Sequence, residues 1–181
     1  IAELALLGRD KLALSFSPEI KSFGAWIEQL VAESTGKHGM GILTVDGDYY
    51  ADDALTVYMR LKDEAQASEN QPHVELVLDD IYDLGKEYFR WEIATAVAGA
   101  LLGVNAFDQP NVQESKDRTN DILDGSLSPI PHSALSTPQL LHFIEQYQPG
   151  NYFALMAFLD KSDEVDRLLR RIQSSIQAKC Q

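Results

Sequence analysis

The stretch DKLALSFSPEIKSFGAWIEQLVAESTGKHGMGILTV, residues 10–45, carries a strand, a helix and a second strand in succession. DKLALSF (10–16) is a short apolar run of the kind a buried strand shows, and Pro18 suits the opening of a helix. From Phe23 to Val31 the apolar residues fall at 23, 26, 27, 30 and 31, which is a helical stripe. Gly36 and Gly39 end that helix, and GILTV (41–45) reads as the next strand.

The alternation continues along the chain. ALTVYMRL (54–61) alternates as a strand does, EAQASENQP (64–72) is a solvated loop, and HVELVL (73–78) is another strand. LGKEYFRWEIATAVAGALL (84–102) gives the strongest helix signal, apolar nearly all round, which predicts a helix buried in the core. GVNAFDQPNVQESKDRTNDIL (103–123) combines a turn with a helix starting near Asp108 and Pro110. DGSLSPIPHSALSTP (124–138) is an internal Gly/Ser/Pro loop. A helix (138–147), a strand YFALMAFL (152–159) and an amphipathic helix (162–178) complete the reading. The fold class that follows is α/β, a three-layer αβα sandwich with a mainly parallel sheet.

Bulk composition narrows the function classes. The 181 residues are 45% apolar and 24% charged, as in a globular domain with one core. The net charge of −13 argues against nucleic acid and anionic membrane as partners, since both reward clustered Lys and Arg. No apolar run reaches the length of about 18 residues that a membrane helix needs. The lone cysteine, Cys180, cannot form an internal disulfide, and this fits a reducing, cytoplasmic setting. Ile1 in place of a methionine reads as a chain cut from something longer, and IAELALLG has no basic leader.

Two stretches gather groups that do chemistry. On the first helix Gln29 and Glu33 lie roughly 40° apart at the margin of the apolar stripe, beside Trp26. A carboxylate beside apolar surface has its charged form disfavoured, which moves it toward general-base use. The ordinary alternative is a capped helix end in which Glu33 pairs with Lys37. In FDQPNVQESK (107–116) Asp108 can cap the second helix. Gln109 and Lys116, two turns apart, project from one side, where an amide and an ammonium can grip a phosphate or a sugar oxygen. A solvated helix face is the alternative there. Glu92, within the apolar helix, reads as a structural acid satisfied by a neighbour. Asp52-Asp53 and Asp79-Asp80 read as solvated turns. His38, His73, His132 and His142 have no metal-ligand spacing, and neither a P-loop nor a dinucleotide fingerprint is present.

Taken together, these stretches carry a resemblance. QLVAESTGK (29–37) resembles the first signature of glucose-6-phosphate isomerases, a glutamine four residues before a glutamate with Ser-x-Gly-Lys following. GVNAFDQPNVQESK (103–116) resembles the second, an Asn-x-Phe-Asp-Gln segment with a lysine seven residues past the glutamine. RWEIATAVAGALLGVNAFDQPNV (90–112) and QPGNYFALMAF (148–158) are similar to the isomerase half of bifunctional transaldolase/glucose-6-phosphate isomerases. The similarity covers nearly the whole chain and is weakest at 46–53 and 62–72.

The resemblance implies the second sugar-isomerase (SIS) type unit of such an enzyme, spanning 1–181 and incomplete at both ends. It implies interconversion of glucose 6-phosphate and fructose 6-phosphate through a cis-enediol, with no metal or organic cofactor. By position Glu33 is the proton-shuttling base, and Lys116 contacts the sugar near its ring oxygen and assists ring opening. Gln29 helps bind the phosphate and Gln109 lines the same site. The remaining phosphate-binding loop and the transaldolase machinery belong to upstream portions of the parent. No histidine stands where the family's ring-opening histidine is expected; residues 48–61 carry Asp52 and Asp53 there. Self-association through uncovered apolar surface is a further expectation. A non-catalytic sugar-phosphate-binding or assembly module of the same fold is the competing reading.

Overall fold

A computed structural model describes residues 1–46, 51–64, 73–128, 136–148 and 151–180. Within it the chain divides into two compact units, Ile1–Ser128 and Pro129–Gln181.

Among the described residues the first unit is built on four strands, β1 (Lys11–Phe16), β2 (Leu43–Asp46), β3 (Ala54–Leu61) and β4 (Val74–Leu78), in spatial order β2-β1-β3-β4. Every pairing is parallel. Three helices accompany them: α1 (Ala2–Leu6), α2 (Phe23–Thr35) and α3 (Leu84–Leu102). An all-parallel sheet flanked by helices is the expected α/β class and fits a three-layer sandwich. Pro18 opens a short 3-10 turn, Pro18–Ile20, and the α-helix begins five residues later.

The core follows from the helix and strand periods. Phe23, Ile27 and Val31 recur every four residues along α2 and are buried against Leu12 and Leu14 of β1 and Val57 and Met59 of β3. Each such side chain contributes about 1.5–3 kcal/mol on burial. Alternation puts Lys11, Ala13, Thr56 and Arg60 on the other face, where all four are also buried. Parallel sheets are commonly covered on both sides, so the alternation of β3 in sequence does not become alternation in exposure. The charges there are paired: Lys11 lies 2.6 Å from Asp10 and 3.1 Å from Asp53, and Arg60 lies 2.7 Å from Glu75. Asp53 is therefore half of an ion pair, in contrast to the solvated turn expected.

α3 has the predicted limits and a different environment. Trp91, Thr95, Ala98 and Leu102 are buried, whereas Phe89, Ile93, Val97 and Leu101 are 51–66% exposed. The helix is apolar on two faces, and only one meets this unit's core. Glu92 is exposed; the buried acid is Glu87, 3.1 Å from Arg90. Burial pushes the Glu87 carboxyl up from its ordinary range, against the pull of Arg90.

After α3 a helix α4 (Pro110–Leu123) follows, with no buried residue. The second unit contains α5 (Thr137–Glu145), opened by a capping box of Ser136 and Gln139, and α6 (Asp163–Cys180). Residues 152–159 form no strand, a correction to the expected YFALMAFL strand. Tyr152, Met156, Phe158 and Leu159 are 62–94% exposed. A strand exists through its ladder, and among the described residues no neighbour hydrogen-bonds this segment into one. The predicted loop at 64–72 lies outside the described residues from 65 onward, as do residues 129–135 of the loop at 124–138, which gives way to α5 at Thr137.

Candidate functional site

The site forms where α2 ends and α4 begins. Gln29 and Glu33, one turn apart, touch directly: Gln29 Nε2 donates to Glu33 Oε1 at 3.3 Å. α2 is tied down just beyond them. The buried Thr35 hydroxyl donates to Val31 O at 2.7 Å and accepts from the Ile42 amide at 3.0 Å, joining the helix end to the approach to β2. Gly36 caps the helix, and a Cβ there would sit 2.7 Å from Ala32 O. A tight turn follows, with His38 at φ 55° and Gly39 at φ 76° and backbone hydrogen bonds of 2.9 Å between Lys37 and Met40 in both directions.

The second stretch is shaped by the end of α3. Gly103 takes a left-handed φ of 74°, and the Val104 amide returns to Gly99 O at 2.9 Å. Gly99 lets the chain pass close, since a Cβ there would stand 2.9 Å from Ala106 Cβ. Asn105 shapes the next turn: its Oδ1 accepts from the Phe107 amide at 3.0 Å, and its Nδ2 donates to Asp108 Oδ2 at 3.2 Å. Gln109 is the N-cap residue of α4, with Pro110 in the first turn.

These two stretches, 76 residues apart in sequence, meet at one carboxylate. Gln109 Nε2 donates to Glu33 Oε2 at 3.3 Å, so each Glu33 oxygen accepts from a different glutamine. Asn111 Nδ2 adds a bond to Gly36 O at 3.2 Å. Gln29, Glu33 and Gln109 line a cavity of about 310 Å³ with Trp26, Leu30, Ser34, Ala106 and Phe107. Trp26 is braced by Phe23, with ring centroids 5.3 Å apart, and by Tyr88 at 4.4 Å.

Lys116 and Lys37 lie apart from the Glu33 carboxylate. Lys116 is absent from the lining of that cavity; it lines an adjoining depression with Asp108, Gln109, Pro110, Val112 and Gln113. The two hollows share Gln109. Glu33 is exposed, so the desolvation expected at the stripe margin is not present in this chain. The alternative Glu33–Lys37 pair is also absent. Lys37 is buried and turns to the second stretch, with Nζ 3.0 Å from Asp108 Oδ1, 2.5 Å from Asn105 O and in contact with Asp108 O. Asp108 therefore serves this ammonium, and α4 has no side-chain cap bond. The sequence reading offered Lys37 only as a partner for Glu33 and gave Asn105 and Asn111 no role in the site, because nothing in GKHG (36–39) signals that its lysine is buried.

No family model matches the chain. It is 25% identical over 160 residues to a probable glucose-6-phosphate isomerase of Methanococcus maripaludis, covering 62% of this chain and 36% of that protein. It is 25% identical over 158 residues to the glucose-6-phosphate isomerase of Methanocaldococcus jannaschii, covering 60% and 39%. The isomerase of Acholeplasma laidlawii gives 25% over 161 residues, covering 60% and 38%. The crystal structure of a hypothetical protein from Thermus thermophilus matches with a TM-score of 0.55 at 21% identity, over 67% of this chain and 44% of that one, a likeness of fold. None of the described helices is long and apolar enough to cross a membrane. The chain thus has an α/β fold and distant similarity to proteins named glucose-6-phosphate isomerase, and it spans 36–39% of the length of those three relatives.

Proposed function

We propose that this chain is part of a phosphosugar aldose–ketose isomerase that interconverts glucose 6-phosphate and fructose 6-phosphate. The observation that carries the reading is one carboxylate, Glu33, held by Gln29 and Gln109 from two distant stretches beside a cavity. In the forward direction Glu33 takes the proton from C2 of the open-chain aldose, leaving a cis-enediolate with its charge on O1; the hydroxyl proton passes from O2 to O1 through the cis-enediol stage, and Glu33 returns its proton to C1 as the C2 carbonyl forms. Two amide donors orient the carboxylate toward the reacting carbons. Each glutamine amide has a second N–H, which leaves Gln29 able to donate to a phosphate and Gln109 to a sugar oxygen. Lys116, from the adjoining depression, reaches toward the ring oxygen and stabilises negative charge as the ring opens.

The parent chain supplies what this one lacks: an upstream isomerase unit with the rest of the phosphate grip, and a transaldolase portion. It works in the cytoplasm, without metal or organic cofactor, and self-associates through uncovered apolar surface. A non-catalytic sugar-phosphate-binding or assembly module is the second reading, favoured by the exposure of Glu33 and by the separation of Lys116 from its cavity.

The deciding experiment is isomerase turnover of the full-length parent with Glu33→Gln. A neutral amide cannot accept the proton, so turnover falls at least about a hundredfold if Glu33 is the base. Undiminished turnover refutes the assignment. The isolated 181-residue chain is expected to show little turnover.

A further inference from the structure

α4 begins at the site, and none of its residues is buried. Its place is set by the junction at its N-terminus. The contacts there are Asn111 to Gly36 O, Gln109 to Glu33, and the three acceptors gathered around Lys37 Nζ. The two glutamine and asparagine contacts are exposed and long, at 3.3 and 3.2 Å. The lysine contacts are short, and the Lys37 side chain is only 2% exposed.

We propose that Lys37 is a positioning residue for the reaction: its buried ammonium fixes the 105–108 turn and thereby holds Gln109 against Glu33. This rests on the isomerase reading given above. An ammonium has three N–H donors, and here three oxygens converge on it, from Asn105 O, Asp108 O and Asp108 Oδ1. The Lys37 ammonium is buried while the Asp108 side chain is 50% exposed, so moving the carboxylate away leaves an uncompensated charge away from water. Two of the three acceptors belong to Asp108, the residue that precedes Gln109. The lysine is itself held by the Lys37–Met40 turn, so the clamp joins two stiff segments. A guanidinium is planar and larger and does not suit three oxygens grouped around one nitrogen. Lys37 does not line the cavity beside Glu33, so its effect is exerted through Gln109.

Two measurements on Lys37→Met test this. In the 181-residue chain, amide hydrogen exchange at Phe107, whose N–H is held by Asn105 Oδ1, should quicken at least about tenfold, while β1 and β3 amides keep their protection. In the full-length parent, kcat/KM should fall at least about tenfold, and Lys37→Arg should not restore it. In a Gln109→Ala background the same substitution should cost less than about twofold, because the group it positions is gone. Unchanged exchange at 105–109 overturns the clamp, and so does an equal loss with and without Gln109. A loosened turn with intact turnover overturns the positioning role. If Lys37→Met does not fold, Asp108→Asn replaces it: the ammonium keeps its carbonyls, and exchange that stays slow refutes the pairing. Full turnover in Glu33→Gln strikes the isomerase reading instead, and the exchange measurement still judges the clamp.

Discussion

Replacing Thr35 by valine exchanges one hydroxyl for a methyl at a fully buried position, where the shape is kept and only hydrogen bonding changes. Thr35 Oγ1 donates to Val31 O and accepts from the Ile42 amide. The Val31 carbonyl lies within α2 and loses only a supplementary donor. The Ile42 amide loses its acceptor, and Ile42 is 3% exposed, so water does not readily replace it. An unsatisfied buried amide costs about 1–3 kcal/mol, and the added methyl returns less than about 1 kcal/mol. The expected net loss is about 1–2 kcal/mol. With a urea dependence of about 2 kcal/mol per molar, the unfolding midpoint drops by about 0.5–1 M. Thr35→Ser provides the contrast: it keeps the hydroxyl, sheds one methyl at a cost of about 1 kcal/mol, and leaves the Ile42 amide bonded. Urea unfolding followed by tryptophan fluorescence gives the midpoint, and exchange of the Ile42 amide separates the two variants. A Thr35→Val midpoint within error of the parent's, with the Ile42 amide as slow as before, would refute the view that this hydroxyl ties the end of α2 to the sheet.

Other outcomes follow from single features. Glu87 holds its proton more tightly folded than unfolded, because burial outweighs Arg90. As pH rises from the ordinary carboxyl range through the higher folded value, the unfolded chain loses the proton first and stability falls. Glu87→Gln should flatten that decline above the ordinary carboxyl range, read as melting temperature against pH, and an unchanged slope would dismiss the buried acid as its cause. Gly99→Ala places a methyl 2.9 Å from Ala106 Cβ. Overpacking of about 1–3 kcal/mol then opposes a helix-propensity gain of about 1 kcal/mol, and adding Ala106→Gly should recover stability; a double variant no more stable than the single one counts against the close approach. On α3, Ile93→Gln should change stability by less than about 0.5 kcal/mol, because Ile93 is 51% exposed. Trp91→Ala, on the buried face, should cost about 3–5 kcal/mol in the same denaturation assay. Equal costs would mean that both faces are covered.

The amino-acid order alone determined most of the local structure. The stripe at 23, 26, 27, 30 and 31, the β-rich runs and Gly36 mark α2, β1, β3 and the exit of α2, because helix and strand periods and the residues that interrupt them are short-range properties. The same local logic singled out Gln29, Glu33 and Gln109, whose types and spacing carry the resemblance. It misjudged what depends on distant partners. Residues 152–159 have a strand's composition and no ladder. Half of α3's apolar surface faces outward. Glu92, expected to be a structural acid satisfied by a neighbour, is exposed, and the buried acid of α3 is Glu87.

Only the tertiary structure decided that Lys37 abandons its neighbour Glu33 for Asp108, and that Gln109 rather than Lys116 reaches the carboxylate. Burial and charge pairing are set by which segments the parallel sheet brings side by side. That information lies in contacts across 76 residues, and no window of sequence contains it.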